Sequence, residues 1–341
     1  MRLAPRQALG EQRHVRRDVG DRVRPAGASS SGRRRATGRA QGGAQRRGPR
    51  ASSDAPARQR PLPASAPSRR PAARAAGLRL VPGFVSAAER SAVVRWLESI
   101  RPLWEDRFTD EAARIAGGQR RLLRPVYWLG AWQFACLDYY RPPHGARDRC
   151  VEAEPYPEVL AELVERIEAL ARETFRGRDL PAGWSLNTCL VNLYGDRVLD
   201  GRRIDCARVG EHRDFEPGPV ASLSLGERAL FDFVTRGKRD DPARILERMW
   251  LDDGSLLVFG GDVYKRRTLH RVLRVERKAG TAFDLRVAEF ETRRVNLTFR
   301  YVPERHIVPY RALPEASRAA VARYVEELAR SSRFFARAAK P

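Results

Sequence analysis

Apolar residues between Leu186 and Val302 come in short runs that alternate with polar ones, and Gly, Asp and Pro break the runs. Period two marks a strand with one buried face. The pattern predicts strands near residues 186–194, 220–226, 229–235, 245–251, 255–260, 269–275 and 293–302. So many short strands without helices between them favour a closed sandwich or jelly roll. Ahead of them the rhythm changes. Leu78–Val81 reads as a strand ended by the Pro82-Gly83 turn. Ser86-Ala87-Ala88-Glu89 is a capping box opening a helix to about Ser99, with Val93, Val94 and Leu97 inward. From Pro157 to Phe175, the residues Leu160, Leu163, Val164, Ile167, Leu170 and Ala171 repeat at helical spacing. A last helix over about 315–331 carries Ala319, Val321, Tyr324, Val325 and Leu328. These stripes read as core, and the fold class expected is mainly β with flanking helices.

The ends of the 341-residue chain are unlike its middle. Residues 1–75 hold 19 Arg, no Lys and four acids (Glu11, Asp18, Asp21 and Asp54), a net +15 of the chain's +23 that leaves +8 for residues 76–341. With no aromatic residue and much Ala, Gly, Pro and Ser, this segment buries too little apolar surface to offset its ordering entropy. It reads as a disordered arm that attracts nucleic acid, or as partly non-native sequence before a misplaced start. Arg-rich and acid-poor, it also resembles a mitochondrial transit peptide; no h-region of a secretory signal follows Met1. No apolar run approaches the roughly 18 residues of a membrane span. Cys136, Cys150, Cys189 and Cys206 lack C-x-x-C spacing, which argues against a zinc ribbon or thioredoxin-like site. They fit buried thiols in a reducing, cytoplasmic compartment. The organisation expected is an arm over 1–75, an N-terminal helical and lid extension over 76–184, a catalytic β core over 185–303, and a C-terminal helix and tail over 304–341. A monomer is expected.

The chemistry concentrates in two places. His212-Arg213-Asp214 has H-x-D spacing, and in an extended strand residues i and i+2 share a face, so both side chains can reach one ion. A later histidine completes a 2-His-1-carboxylate facial triad, which suits Fe(II) because it leaves sites open for a co-substrate and O2. His270 follows 56 residues after Asp214, and the chain has only His14 and His144 before the motif and His306 besides. The second place is Arg294-Val295-Asn296-Leu297-Thr298-Phe299-Arg300. Alternation puts Arg294, Asn296, Thr298 and Arg300 on one face and Val295, Leu297 and Phe299 on the core face. Two arginines facing a barrel interior are costly unless an anion meets them. Spaced roughly 20 Å apart along the strand, their side chains could bracket a short dicarboxylate, which a planar guanidinium fork fits. A half-exposed edge strand with solvated arginines is the plain alternative.

With these pieces the chain resembles the AlkB-type Fe(II)/2-oxoglutarate dioxygenases, oxidative nucleic-acid demethylases. The motifs follow the family's order: Asn192-Leu193-Tyr194, His212-Arg213-Asp214, residues 220–226, Lys238-Arg239-Asp240-Asp241-Pro242, Gly260-Gly261, His270 and the terminal R-x-N-x-T-x-R. The resemblance is clear over about 185–302 and fainter over 77–184. It implies a double-stranded β-helix buttressed by N-terminal helices, with Fe(II) on His212, Asp214 and His270. It implies 2-oxoglutarate on Asn192, Tyr194, Arg294, Asn296 and Arg300, with O2 as the second co-substrate. Glu216 matches a carboxylate that reads the substrate's exocyclic amine, and Arg239 a nucleotide-contacting arginine. Two departures stand out. The gap from Tyr194 to His212 is long and carries Arg197, Arg202, Arg203 and Arg208, and the gap from His270 to Arg294 is extended.

Between Tyr127 and Tyr140 lie Trp128, Trp132, Phe134 and Tyr139 beside Arg124 and Arg141. Enzymes acting on a base hold it unstacked between aromatic faces. Each of these aromatics reads first as core, and Tyr140, before the Arg141-Pro142-Pro143 turn, is the candidate base contact. The expected function is oxidative dealkylation of N-alkylated DNA or RNA bases, as in DNA repair, releasing formaldehyde, succinate and CO2. The alternatives are the same chemistry on a protein side chain or small molecule, and a non-catalytic nucleic-acid-binding jelly roll.

Overall fold

The alternating runs pair into antiparallel sheets in the computed structural model, which describes residues 77–108, 119–133, 150–235, 244–276, 283–285 and 287–340. The strands are β1 (Leu78–Val81), β2 (Asp106–Phe108), β3 (Gln119–Arg121), β4 (Val126–Leu129), β5 (Ala131–Gln133), β6 (Cys150–Glu152), β7 (Thr188–Leu199) and β8 (Arg202–Asp205). They continue with β9 (Val209–His212), β10 (Val220–Gly226), β11 (Ala229–Thr235), β12 (Arg244–Leu251), β13 (Leu256–Phe259), β14 (Leu269–Val275), β15 (Phe290–Arg300) and β16 (Ile307–Val308). The major sheet runs β1-β13-β10-β15-β7-β4, with β8 paired to β7; the minor sheet runs β12-β11-β14-β9. Tyr194, Val220, Leu257 and Phe259 of the major sheet pack against Phe231, Phe233 and Val272 of the minor one. This two-sheet packing is the double-stranded β-helix, a mainly β fold with flanking helices.

Strands β10, β11 and β14 occupy the expected residues. Two others differ for local reasons. β7 runs past residue 194 to Leu199 because it folds into a hairpin with β8, pairing Asp196 to Asp205 and Leu199 to Arg202. The arginines of β8 are exposed, which hides that hairpin from an apolar pattern. β15 begins at Phe290 and stops at Arg300, short of residue 302. There the Asn187 side chain takes over, donating to the Val302 carbonyl at 2.6 Å and accepting its N–H at 2.8 Å.

The outer face of the major sheet meets the helices. Ser86 caps Ala87–Ser99: its hydroxyl accepts the Glu89 N–H at 3.2 Å while its own N–H donates to Glu89 Oε2 at 2.7 Å. Val93 and Leu97 are fully buried, whereas Val94 is only half-buried. The helix Glu158–Thr174 buries Leu160, Leu163, Val164, Ile167 and Ala171. These residues share one core with Val295, Leu297 and Phe299 of β15. Trp128 and Trp132 are buried there too, so they are core and not base contacts. The C-terminal helix ends at Ala329, because Ser332 caps a further helix, Arg333–Ala338, that carries Phe335 against Trp132. Ala319, expected inward, is exposed. Cys150, Cys189 and Cys206 are buried, and no two of them are joined by a disulfide. No described helix is long and apolar enough to cross a membrane.

Candidate active site

The minor sheet sets two imidazoles side by side. His212 ends β9 and His270 lies in β14, and the two are direct cross-strand partners. Opposite residues of an antiparallel pair project to the same face, and the rings lie 4.2 Å apart. Asp214, two residues past His212, brings Oδ2 to 3.4 Å from His270 Nε2. One ligand atom from each of the three lies within 4.8 Å of the others. The H-x-D spacing and the distant histidine therefore meet at one point.

The electrical state of these groups suits a cation. His270 is enclosed by Phe231, Phe233 and Phe259, with ring centroids at 5.6, 6.1 and 5.2 Å. Burial, then the neighbouring His212, holds its pKa down to about 3. Burial likewise lowers the pKa of His212. Its Nδ1 lies 2.8 Å from the Gly210 carbonyl, an obligate acceptor, so Nδ1 carries the proton and Nε2 keeps a lone pair for a metal. Burial alone would raise the Asp214 carboxyl, but Arg300, then His270, Lys265 and His212, outweigh it and keep it ionised, well below the usual carboxylate range. Its Oδ2 is buried and accepts no hydrogen bond among the described residues. Two imidazoles that burial keeps neutral and one carboxylate oxygen thus converge at one point. That donor set fits a divalent iron.

The surrounding strands are pinned by charge. Asp232 of β11, fully buried, accepts from Arg248 of β12 at 2.8 and 2.9 Å and from Arg271 of β14 at 2.9 Å, while Arg271 also reaches Glu211 of β9 at 2.9 Å. Asp232 so ties three strands of the minor sheet together, and Glu211 adds the fourth through Arg271. Arg213 bonds the Thr268 carbonyl at 3.1 Å, fastening the His212–Asp214 segment beside β14.

The co-substrate candidates lie on the major sheet, where β15 pairs with β7 so that Arg294 faces Tyr194 and Asn296 faces Asn192. Arg293 is an extra residue in the ladder between Thr292 and Arg294, opposite the Gly195–Tyr194 step. A Cβ at Gly195 would lie 1.8 Å from the Glu291 carbonyl oxygen, so only glycine lets the strands close there. Arg294 is fully buried and meets neutral acceptors: Ser224 Oγ at 2.9 Å and the Glu227 and Leu251 carbonyls at 3.4 Å. Its Nε has no hydrogen-bond partner among the described residues, and burial lowers its pKa to about 10. Asn296 donates to Ser222 at 2.8 Å and accepts from Thr298 at 2.7 Å. At the other end of the strand, Arg300 donates to Asp214 Oδ1 at 2.8 Å and lies 3.4 Å from Glu216 Oε1. The anion that the sequence reading asked for is supplied to Arg300 by Asp214 within the protein, whereas the acceptors around Arg294 are neutral.

The fold thus gathers His212, Asp214, His270, Glu216 and Arg300 at one place, and aligns Asn192, Tyr194, Arg294 and Asn296 along β7 and β15. Tyr140 and Arg239 lie outside the described residues. Three neighbours escaped the sequence reading as members of the site. Arg124 donates to Asn192 Oδ1 at 3.0 Å and stacks 5.2 Å over the Tyr194 ring. Ser224 supports Arg294. Lys265 sits within electrostatic reach of Asp214. Only Arg124 carried any signal, as a cation beside an aromatic cluster; a serine in an apolar strand and a lysine in a basic turn carry none.

Fold and donor set together define an iron-dependent oxygenase. The family model of the 2OG-Fe(II) oxygenase superfamily matches residues 77–300, and the chain belongs to that superfamily. It is an oxidoreductase, a dioxygenase that uses Fe(II), 2-oxoglutarate and O2. Among solved structures it is similar to OsALKBH1, at 22% identity over 66% of this chain and 98% of that one, with a TM-score of 0.40. A bsmA homologue from Methylobium petroleophilum matches at 13% identity over 68% and 90%, TM-score 0.31. The ribosomal oxygenase YcfD from Escherichia coli, in complex with cobalt and succinic acid, matches at 12% over 69% and 71%, TM-score 0.19. No curated protein matches the sequence.

Proposed function

We propose that the protein is an AlkB-type enzyme that removes N-alkyl groups from nucleic-acid bases, with iron held by His212, Asp214 and His270. The observation that carries the reading is the convergence of one ligand atom each from His212, Asp214 and His270 beside a buried acidic side chain, Glu216. When bound, the iron supplies activation of O2 coupled to conversion of 2-oxoglutarate to succinate and CO2. The chain's own groups do the rest. Arg294 takes the far carboxylate of 2-oxoglutarate, assisted by the Tyr194 hydroxyl. Arg300 and Asn192 orient the near end, and the Phe231, Phe233 and Phe259 wall excludes water around His270. Glu216 accepts from an exocyclic amine of the base. A hydroxylated N-methyl group then loses formaldehyde. Support for nucleic acid comes from the motif order within the matched residues and from the +15 carried by residues 1–75.

The test is formaldehyde and succinate release from methylated DNA and RNA oligonucleotides set against methylated peptides. Release from oligonucleotides above the substrate-free background is the expected result. Release from peptides alone would move the activity to proteins, and absence of any Fe(II)-dependent succinate would remove catalysis altogether. In the same assay, deletion of residues 1–75 leaves 2-oxoglutarate turnover intact and flattens the salt dependence of oligonucleotide binding. Tyr140→Ala costs roughly 1–3 kcal/mol of base binding, the range for one aromatic stack.

A further inference from the structure

The turn between β13 and β14 is a six-residue π-helix, Asp262–Arg267, carrying three consecutive cations. Two of them are used on the outside: Arg266 bonds Asp262 at 2.9 Å and Asp179 at 3.1 Å, and Arg267 pairs with Asp262. The third turns inward. Lys265 Nζ is completely buried and has no hydrogen-bond partner among the described residues. Asp214, Glu216 and Arg300 lie within its electrostatic reach. A buried N–H donor without an acceptor is costly; Arg300 holds one oxygen of each nearby carboxylate, and Lys265 Nζ hydrogen-bonds neither of the other two among the described residues. Burial lowers the pKa of Lys265, yet ammonium and amine alike carry N–H donors, so its role as a donor does not depend on titration.

We propose that Lys265 and Glu216 are the donor and the acceptor of one base-reading pair. The bases it favours then carry a carbonyl oxygen on one side of the alkylated nitrogen and an exocyclic amine on the other. 3-Methylcytosine and 1-methylguanine have that edge; 1-methyladenine has the amine alone. The inference rests on the nucleic-acid reading given above and deepens it. Two features favour the base over the co-substrate as the missing acceptor. The anionic ends of 2-oxoglutarate already have a guanidinium each, from Arg294 and Arg300 on β15. Lys265 and Glu216 instead lie in the two connections that flank the metal candidates in sequence, five residues before His270 and two after Asp214. A carboxylate offers about four lone-pair sites, so Glu216 can hold Arg300 and a ligand amine together.

The experiment compares kcat/KM for oligonucleotides bearing 3-methylcytosine or 1-methyladenine in the same sequence. The full-length protein is expected to favour 3-methylcytosine by roughly tenfold, because a site built around a hydrogen bond discriminates against the ligand lacking it. Lys265→Met brings the ratio close to one, and Lys265→Gln, which keeps an N–H donor, restores part of it. A ratio measured on one sample is insensitive to any misfolded fraction. Fluorescence anisotropy with the iron-free protein reads the same preference as a ratio of Kd values. A ratio unchanged by Lys265→Met overturns the pairing, as does a variant that raises only the KM for 2-oxoglutarate. Equal wild-type turnover of the two bases defeats the pairing alone, whereas no turnover of any oligonucleotide defeats the nucleic-acid reading beneath it.

Discussion

At one end of β15, Arg300 donates to Asp214 at 2.8 Å and touches Glu216, so its charge is met by the protein itself. At the other end, Arg294 is just as buried but is surrounded by a serine hydroxyl and two peptide carbonyls. The strand and the side chain are the same at both ends, and the residues between keep the same register. What differs is the partner the fold supplies. A buried guanidinium with neutral acceptors only is held at a cost that an arriving anion removes. A paired one acts instead as a brace, here fixing the carboxylate that would ligate the metal. The comparison separates an arginine that awaits its anion from one that braces the metal site while it orients the near end of the co-substrate, on a strand where the sequence shows two equivalent residues.

The largest effect expected comes from the residues that Arg300 braces. Replacing His212, Asp214 or His270 by Ala takes one of three ligands from an open site and should reduce Fe(II)-dependent succinate formation to background, with circular dichroism unchanged. Near-normal turnover in any of the three would remove that residue from the set. Next is Arg300→Lys. A lysine cannot span Asp214 and Glu216 as a fork, so affinity for Mn(II), a redox-inert probe, and for 2-oxoglutarate should both fall by about tenfold. A loss in only one of them would contradict the brace.

A smaller effect is expected at Asp232, which lies in the minor sheet away from both arginines. Asp232→Asn leaves Arg248 and Arg271 facing a neutral amide and should lower unfolding stability by about 1–3 kcal/mol in urea titration, less than for a fully buried pair because both arginines are partly exposed. The mildest is a pH effect. The ordinary histidine value is about 6.5, whereas folded His270 is held to about 3. Between these values the unfolded chain binds a proton that the folded one refuses. Stability of the metal-free protein is therefore full above about pH 6.5 and declines as pH falls toward 3. Mn(II) affinity should stay nearly constant from pH 7.5 to 6.5, since the imidazoles shed no proton on binding.

Much of this was legible in the chain. Strands β10, β11 and β14 lie where alternation put them, because Gly226, Asp253 and Gly254 and their like interrupt clean period-two runs. The capping box of the first helix formed as read, and the apolar face of β15 packs against the helices. The rest depended on contacts between distant segments. β4, β5 and β6 are three or four residues long and take their conformation from pairing partners away in sequence, while the exposed arginines of β8 hide a local hairpin from any apolar pattern. Lys265 sits among Arg266 and Arg267 and reads as a solvated turn, since nothing local says that one of three cations points inward. That Arg300 would be paired and Arg294 not is equally invisible, because Asp214 and Ser224 reach the strand only through the sheet order.

The difference between the two arginines is tested most directly by anaerobic calorimetric titration of 2-oxoglutarate into the Mn(II)-loaded protein. Arg294→Lys is expected to weaken 2-oxoglutarate binding by about tenfold to a hundredfold, the range for a charge-assisted hydrogen bond, while Mn(II) affinity measured without 2-oxoglutarate stays at the wild-type value. Unchanged affinity for 2-oxoglutarate in Arg294→Lys would mean that this buried guanidinium serves the fold and not the co-substrate.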